Sequence, residues 1–246
     1  MRLLFLLETV LIAICMMAII SCKHEMSQDD PEVSALSLQT IENPCSQAQG
    51  ICENQVWLLD TLDIILPEYP NCVFKVEYSA KLCPNSFEAD VKLLKYWSDP
   101  FCDEWDQDID SVANAQGNIT LWIYKFEKKL MVEIATIIGF SYNTICGVNQ
   151  SFLASFTNAA CSKRCIVRVP KPDGGYTYRA ITIYCGEGCC ETLIEVCIDP
   201  ITQSPVTTVL PSSPANPTNC FSYGAQLQCP YNTIYSGPCA VTCGNL

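Results

Sequence analysis

Histidine is almost missing from this chain of 246 residues: there is one, His24, near the N-terminus. A body without imidazole excludes Ser-His-Asp and Cys-His catalysis, and it excludes zinc sites that need a histidine ligand. Cys-x-x-Cys is also missing, although the chain carries 18 cysteines. The zinc knuckle and the thioredoxin-type redox pair therefore both lack their motif. Positive charge is scarce, with 14 Lys and Arg against 26 Asp and Glu, a net charge of −12 and a pI near 4.4. Such a chain repels phosphate backbones, so nucleic acid is excluded as a partner. No cofactor signature occurs, and none is expected to bind. What is plentiful is apolar: 49% hydrophobic residues, four Trp and 11 Tyr indicate a packed globule.

The N-terminus has the layout of a secretory signal: Met1-Arg2, an apolar run over residues 3–20, then Ser21-Cys22-Lys23. The run is long enough to span a bilayer, so an uncleaved anchor helix is the alternative. Glu8 inside it is costly for a permanent span and tolerable in a transient one. Ile19-Ile20-Ser21-Cys22 resembles the lipobox of bacterial lipoproteins, a likeness covering about the first 25 residues. The resemblance implies cleavage before Cys22, fatty acylation (palmitate among the chains) of that cysteine, and a bacterial outer membrane holding the protein by its lipid. Lys23 stands where the family places an Asp as its inner-membrane retention mark. Glu25, Asp29, Asp30 and Glu32 follow, an acidic tract similar to the surface-export signals of some double-membrane bacteria. A solvated tether is the plainer reading of that tract, so surface display and the periplasmic face both stay open.

Cleavage would remove Cys15, and acylation would occupy Cys22. Sixteen cysteines then remain: Cys45, Cys52, Cys72, Cys83, Cys102, Cys146, Cys161, Cys165, Cys185, Cys189, Cys190, Cys197, Cys220, Cys229, Cys239 and Cys243. An even number in an oxidising compartment is expected to be a disulfide framework, whose pairing the sequence does not select. Cys161-x3-Cys165 and Cys185-x3-Cys189 are loosely spaced for zinc, but structural disulfides are the better expectation. Cys189 and Cys190 are adjacent, and strand neighbours face opposite ways, so the two should join different bridges.

The expected organisation is a signal peptide over 1–21, an acidic tether over 22–44, a disulfide-stapled domain over 45–199, a Pro/Ser/Thr-rich linker over 200–219, and a cysteine-rich tail over 220–246. Twenty-seven residues bury little core, so the tail is either a small module or pinned to the body. Within the body, Cys72, Phe74, Val76 and Tyr78 alternate with polar residues as in a half-buried strand, and 90–97 suggests another. Asp99-Pro100 would open a helix carrying Cys102, Trp105, Ile109 and Val112 on one stripe. A second helix follows Asn118, with Ile119, Ile123, Phe126, Leu130, Ile134 and Ile137 on one face, Lys125, Lys128 and Lys129 elsewhere, and Gly139 placed to end it. The last third suggests strands over 165–169, 176–185 and 189–198, the last two joined as a hairpin through Gly186-Glu187-Gly188. The class expected is α+β: an antiparallel sheet with two central amphipathic helices, disulfide-rich, plus a short cysteine-rich C-terminal tail.

Candidate chemistry is thin. Asp106, Asp108 and Asp110 resemble the start of a calcium loop, but Ser111 stands where an EF-hand needs Gly and Gly117 where it needs Glu. The helix covering the same residues is preferred, so no metal is expected and calcium stays a weak candidate. Phe221, Tyr223, Tyr231 and Tyr235 in the tail would suit sugar stacking, against the alternative that they pack on disulfides. Trp57, Trp97, Trp105 and Trp122 are the stacking candidates of the body. Asn118-Ile-Thr120 and Asn149-Gln-Ser151 match a glycosylation sequon, with a helix cap the preferred role for the first. The segments Asn71–Tyr78 and Tyr184–Cys190 resemble cysteine-rich modules of uncharacterised secreted bacterial proteins, a likeness that implies no activity. The expectation is an exported, lipid-anchored lipoprotein, non-catalytic, with a glycan or an envelope protein as ligand. The alternative is a carboxylate-based extracytoplasmic hydrolase such as a glycosidase.

Overall fold

The computed structural model describes Cys45 and residues 51–52, 55–99, 102–115, 117–148, 150–171, 174–186, 188–210, 213–214, 228–230 and 232–241, all within the unit Thr40–Leu246. The expected signal peptide, Cys22 and the tether lie outside the described residues, as do His24, Asn149, Cys220, Phe221, Tyr223, Tyr231 and Cys243. Among the described residues no helix is long and apolar enough to cross a membrane.

The protein is α+β and disulfide-rich. One sheet runs β1 (Leu58–Ile64), β2 (Phe74–Leu82), β3 (Glu88–Ser98), β4 (Phe152–Ala159), β7 (Cys189–Ile198) and β8 (Pro205–Val209), with β9 (Ser213–Pro214) also paired to β7. A second sheet is centred on β5 (Cys161–Pro170), flanked by β6 (Tyr176–Tyr184) on one side and by β10 (Thr233–Ser236) and β11 (Ala240–Val241) on the other. Two helices, α1 (Asp103–Asn114) and α2 (Ile119–Ser141), lie between β3 and β4 in the chain.

That placement corrects the all-antiparallel expectation. Glu88–Val91 of β3 pairs in parallel with Leu153–Phe156 of β4. Parallel neighbours need a long crossover, which the two helices supply. The glycine loop after β6 is not a hairpin either. β6 pairs with β5 in the second sheet, whereas β7 pairs with β4 in the first. The stretch expected as a linker contributes β8, along the edge of β7. Of the two readings of the tail, the pinned one describes β10 and β11, which both pair with β5.

The core is continuous between helices and sheet. Phe74, Val76, Phe152, Phe156 and Ile194 meet Trp105, Ile109, Ile123, Leu130 and Ile134, all at most 2% exposed. Trp105, Phe126 and Phe74 form an aromatic knot, with Phe126 at 4.0 and 4.9 Å from the other two rings. Asn118 caps α2 by accepting from Leu121 N (3.1 Å). Three local expectations shift. α1 begins at Asp103 with Cys102 as an N-cap that makes no side-chain bond, while Asp99 accepts from Val73 N (3.2 Å). Ile137 is 43% exposed, off the buried face. Gly139 lies inside α2, not at its end; a Cβ there would fall 2.7 Å from Phe152 Cδ1 and 2.8 Å from Val196 Cβ. Its bare backbone lets the helix approach the sheet.

Six bridges join described cysteines: Cys45–Cys189, Cys52–Cys83, Cys72–Cys102, Cys146–Cys197, Cys165–Cys229 and Cys185–Cys239. Cys161 and Cys190 are disulfide-bonded as well, so Cys189 and Cys190 do enter different bridges. Cys165–Cys229 fastens the tail to β5, and Cys185–Cys239 fastens it just beyond the end of β6.

Candidate functional site

Beyond Val91 and Phe156 the parallel pairing of β3 and β4 stops, and the two strands part. A cavity of about 350 Å³ fills the gap. Its walls are residues 92–96 of β3, 157–159 of β4, one side of α2, and the facing surface of β5 and β6. An irregularity in the β2–β3 register leaves Leu94 without a partner beside the opening. Bulges recur where a strand is re-aimed around a site.

The helix reaches the cavity through a second buried stripe. Thr120, Tyr124, Glu127, Met131 and Ala135 are spaced at three and four residues, and each is buried, Glu127 at 7% exposure. Tyr124, Glu127 and Met131 line the cavity. The stripe of Ile123, Phe126, Leu130 and Ile134 faces the first sheet, so α2 is buried on two sides because it lies between two sheets. On β5, Ser162 and Arg164 are two residues apart and share a face. Their partners on β6 are Tyr184 and Thr182.

At the floor, Arg164 and Glu127 form a buried ion pair, with side chains 7% and 9% exposed. Arg164 Nη1 also donates to Thr182 Oγ1, and Tyr96 OH donates to Glu127 Oε1 (3.3 Å). Two buried polar atoms of the wall have no hydrogen-bond partner: Ser162 Oγ and Arg164 Nε. Burial raises the Tyr96 phenol well above its ordinary value, helped by the Glu127 charge. Burial likewise raises Tyr124 and Tyr184. All three hydroxyls therefore stay protonated. Lys92 and Lys95 contribute to the rim, but their ammonium groups engage elsewhere: Lys92 lies 4.3 Å from the Trp57 ring centre, and Lys95 pairs with Glu77 at 3.2 Å. Among the described residues the lining thus carries one carboxylate, Glu127, beside Arg164, Arg179, Lys92 and Lys95, and a set of hydroxyls.

The C-terminal tail holds Arg164 from behind. Gly237 N donates to the Arg164 carbonyl (3.0 Å), Arg164 N donates to Thr120 Oγ1 (3.2 Å), and Thr120 Oγ1 donates to the Pro238 carbonyl (2.9 Å). A Cβ on Gly237 would meet Ile119 Cγ2 at 2.8 Å and Thr120 N at 2.9 Å, so this close approach needs glycine.

The candidates from the sequence fall elsewhere. Asp106 accepts from Thr177 Oγ1 (3.2 Å) and Tyr178 N (3.1 Å), Asp108 from Tyr69 OH (2.7 Å), and Asp110 from Tyr178 OH and Tyr235 OH (2.8 Å each). Asp106 and Asp110 both bond Tyr178, one through its N–H and the other through its OH, while Asp108 bonds Tyr69, so the three do not converge on one point. These acids fasten α1 to its surroundings. Among the described residues no group of three or more His, Cys, Asp or Glu is placed to hold a metal. Tyr235 packs against Tyr178 at 6.3 Å, inside the fold. Trp105 is buried, Trp122 half-buried against it at 5.0 Å, and Trp57 half-buried beneath Lys81 and Lys92. Trp97 is 39% exposed, with Lys95 Nζ 5.4 Å from its ring centre. A hollow of about 490 Å³ on the outer side of α2, among Leu66, Lys125, Lys128 and Val132, is mainly apolar and lined by lysine stems.

Sequence reasoning missed the cavity entirely. Glu127 within a second periodic stripe was the available signal; Arg164 stands in a strand that also carries Ser162, Lys163 and Arg168, so its sequence context did not set it apart. No protein-family model, curated protein or solved structure matches this chain.

Proposed function

We propose that this chain is an extracytoplasmic, membrane-tethered binding protein that holds a small polar ligand in the cavity between its two sheets without chemically changing it. The lipobox-like Ile19-Ile20-Ser21-Cys22 supports the tether, and the dense disulfide framework suits an oxidising compartment. The observation that carries the binding reading is the pair of buried, unpartnered polar atoms, Ser162 Oγ and Arg164 Nε, in the wall of one cavity. Buried polar groups are almost always satisfied, and an orphan costs about 1–3 kcal/mol. A ligand that satisfies them recovers part of that cost. Hydrolysis of glycosides needs two carboxyl groups about 5–10 Å apart. Among the described residues Glu127 is the one carboxylate lining this cavity, and it is bound to Arg164 and Tyr96.

The test is retention of small molecules from a growth-medium extract on the oxidised protein, read by mass spectrometry, beside a cavity-blocked Thr157→Trp variant shown to be folded. Compounds held by the first and lost by the second are expected. Identical retention by both would refute the cavity as the site. Labelled fatty acid incorporated into the wild type and absent from Cys22→Ser tests the tether.

A further inference from the structure

We propose that the cavity is a slot for strand addition: a short, extended, acidic peptide lies between the open edges of β3 and β6 and hydrogen-bonds to both through its main chain. This inference rests on the binding reading above and names the ligand class, but it stands on backbone groups of the two edges and on the charge of the lining.

The pairing registers fix which backbone groups face the slot. In an antiparallel pair, residues that exchange N–H···O bonds alternate with residues whose N–H and C=O point away. Cys185 N donates to the Cys161 carbonyl (3.3 Å), so Ile183, Ile181 and Arg179 continue the bonded set along β5. Tyr184, Thr182 and Ala180 therefore turn their N–H and C=O away from β5, and among the described residues no strand pairs with that side of β6. Tyr178 shares this phase, and its N–H is taken by Asp106 of α1 (3.1 Å). The phase of β3 is fixed in the same way. Cys83 N donates to the Glu88 carbonyl (3.0 Å), which turns the backbone of Leu93 away from β2. Beyond the irregularity, Asp99 N donates to the Val73 carbonyl (2.9 Å), which turns Tyr96 and Ser98 away from β2 as well. β4 covers this side of β3 only as far as Val91. Leu93 and Tyr96 of one edge, and Ala180, Thr182 and Tyr184 of the other, all line the cavity.

An open strand edge is a template for one more strand, and this slot presents two. It closes at one end, where Ser98 Oγ meets Thr177 Oγ1 at 3.5 Å. The lining run from Lys92 to Tyr96 is about 16 Å of extended chain, which suits a peptide of about four or five residues. Charge decides its kind. Lys92, Lys95, Arg164 and Arg179 line the cavity against Glu127, in a chain whose acids outnumber its cations 26 to 14. Neighbouring groups leave that excess in place: Lys81 shares the Trp57 ring with Lys92, while Glu77 pairs with Lys95 and Asp90 lies within electrostatic reach of Lys92. Acidic side chains on the peptide answer the excess, and basic ones are repelled. Met131 and the Tyr124 ring give the peptide side chains that face α2 a partly apolar floor.

The experiment uses the oxidised mature chain and a library of acetylated, amidated pentapeptides, half rich in Glu and Asp and half rich in Lys and Arg, with retained members identified by mass spectrometry. Acidic members are expected on the wild type, and Thr157→Trp is expected to lose them. A retained sequence is then remade with N-methyl groups at alternate amides, in either phase, which removes the main-chain donors of one side at a time. Its affinity in calorimetry is expected to fall at least about 10-fold. Amide exchange at Leu93, Tyr96, Ala180 and Thr182 is expected to slow by about 10-fold or more when the unmodified peptide binds. Arg179→Glu, with an unchanged melting temperature, is expected to weaken the acidic peptide about 5- to 10-fold. A peptide whose N-methylated forms bind undiminished, with no slowed amide on either edge, would overturn strand addition. Basic peptides retained in preference, or citrate bound as tightly as the acidic peptides, would overturn the ligand class and leave the cavity as the site. No peptide retained would overturn the proposal, and the extract experiment would then decide the cavity by itself.

Discussion

Replacing Glu127 with alanine leaves the Arg164 guanidinium buried without a counter-charge and takes from Tyr96 OH its acceptor. Both partners of the pair are more than nine-tenths buried, so solvent screens it little. Breaking one side of such a pair costs about 3–5 kcal/mol. In a domain of this size about 1 kcal/mol moves the melting temperature by roughly 2–4 °C, so a fall of about 6–20 °C is expected. Arg164→Met paired with Glu127→Leu removes both charges together, and such exchanges are close to neutral or stabilising. The double variant is therefore expected to recover most of the loss, a coupling well above the additivity found for independent sites. Denaturant unfolding followed by tryptophan fluorescence, with all bridges intact, measures Glu127→Ala and, for the cycle, Glu127→Leu, Arg164→Met and their double variant against wild type. A Glu127→Ala protein melting within about 2 °C of wild type, or a double variant costing the sum of the two singles, would refute the buried pair.

Gly139→Ala gains up to about 1 kcal/mol of helix propensity, yet it forces a methyl into Phe152 and Val196, an overpacking that costs about 1–3 kcal/mol or more. Net destabilisation in denaturant melts is expected; a stabilised variant would show that Gly139 has no packing role. Gly237→Ala should lift the tail off Thr120, and faster amide exchange at Gly237 together with weaker ligand retention by the cavity are the readouts. Burial holds the Asp106 carboxyl above its ordinary value, although bonds from Tyr178 N, Lys171 and Thr177 oppose it. Between the unfolded value near 3.8 and the raised folded value, the native state binds more protons than the unfolded one, so stability from this group falls as pH rises. Against Asp106→Asn, the wild type should gain melting temperature as pH drops from neutral towards 4, and a gap that stays constant with pH would contradict the shift.

Local patterns carried what depends on near neighbours. The alternation of Phe74, Val76 and Tyr78 marked β2, because a strand with one buried face has a period of two. The stripe from Ile119 to Ile134 marked the main face of α2, and Asn118 marked its start. Cysteine count and the absence of Cys-x-x-Cys pointed to bridges, and the bridges are there. Chemistry of this local kind is written in spacing and needs no partner to be read.

Tertiary structure decided whatever depends on which distant strand lies alongside. The loop through Gly186 and Gly188 has hairpin composition, yet the strands it joins go to different sheets, since pairing with β5 and β4 is non-local. Gly139 has the composition of a helix terminus, and only its neighbours Phe152 and Val196 make it a contact point. The cavity exists because β3 and β4 part after a short parallel stretch while α2 lies between two sheets. That arrangement turns Glu127 and Arg164, far apart in the chain, into one buried pair, and places Ser162, whose buried Oγ has no hydrogen-bond partner, in the same wall.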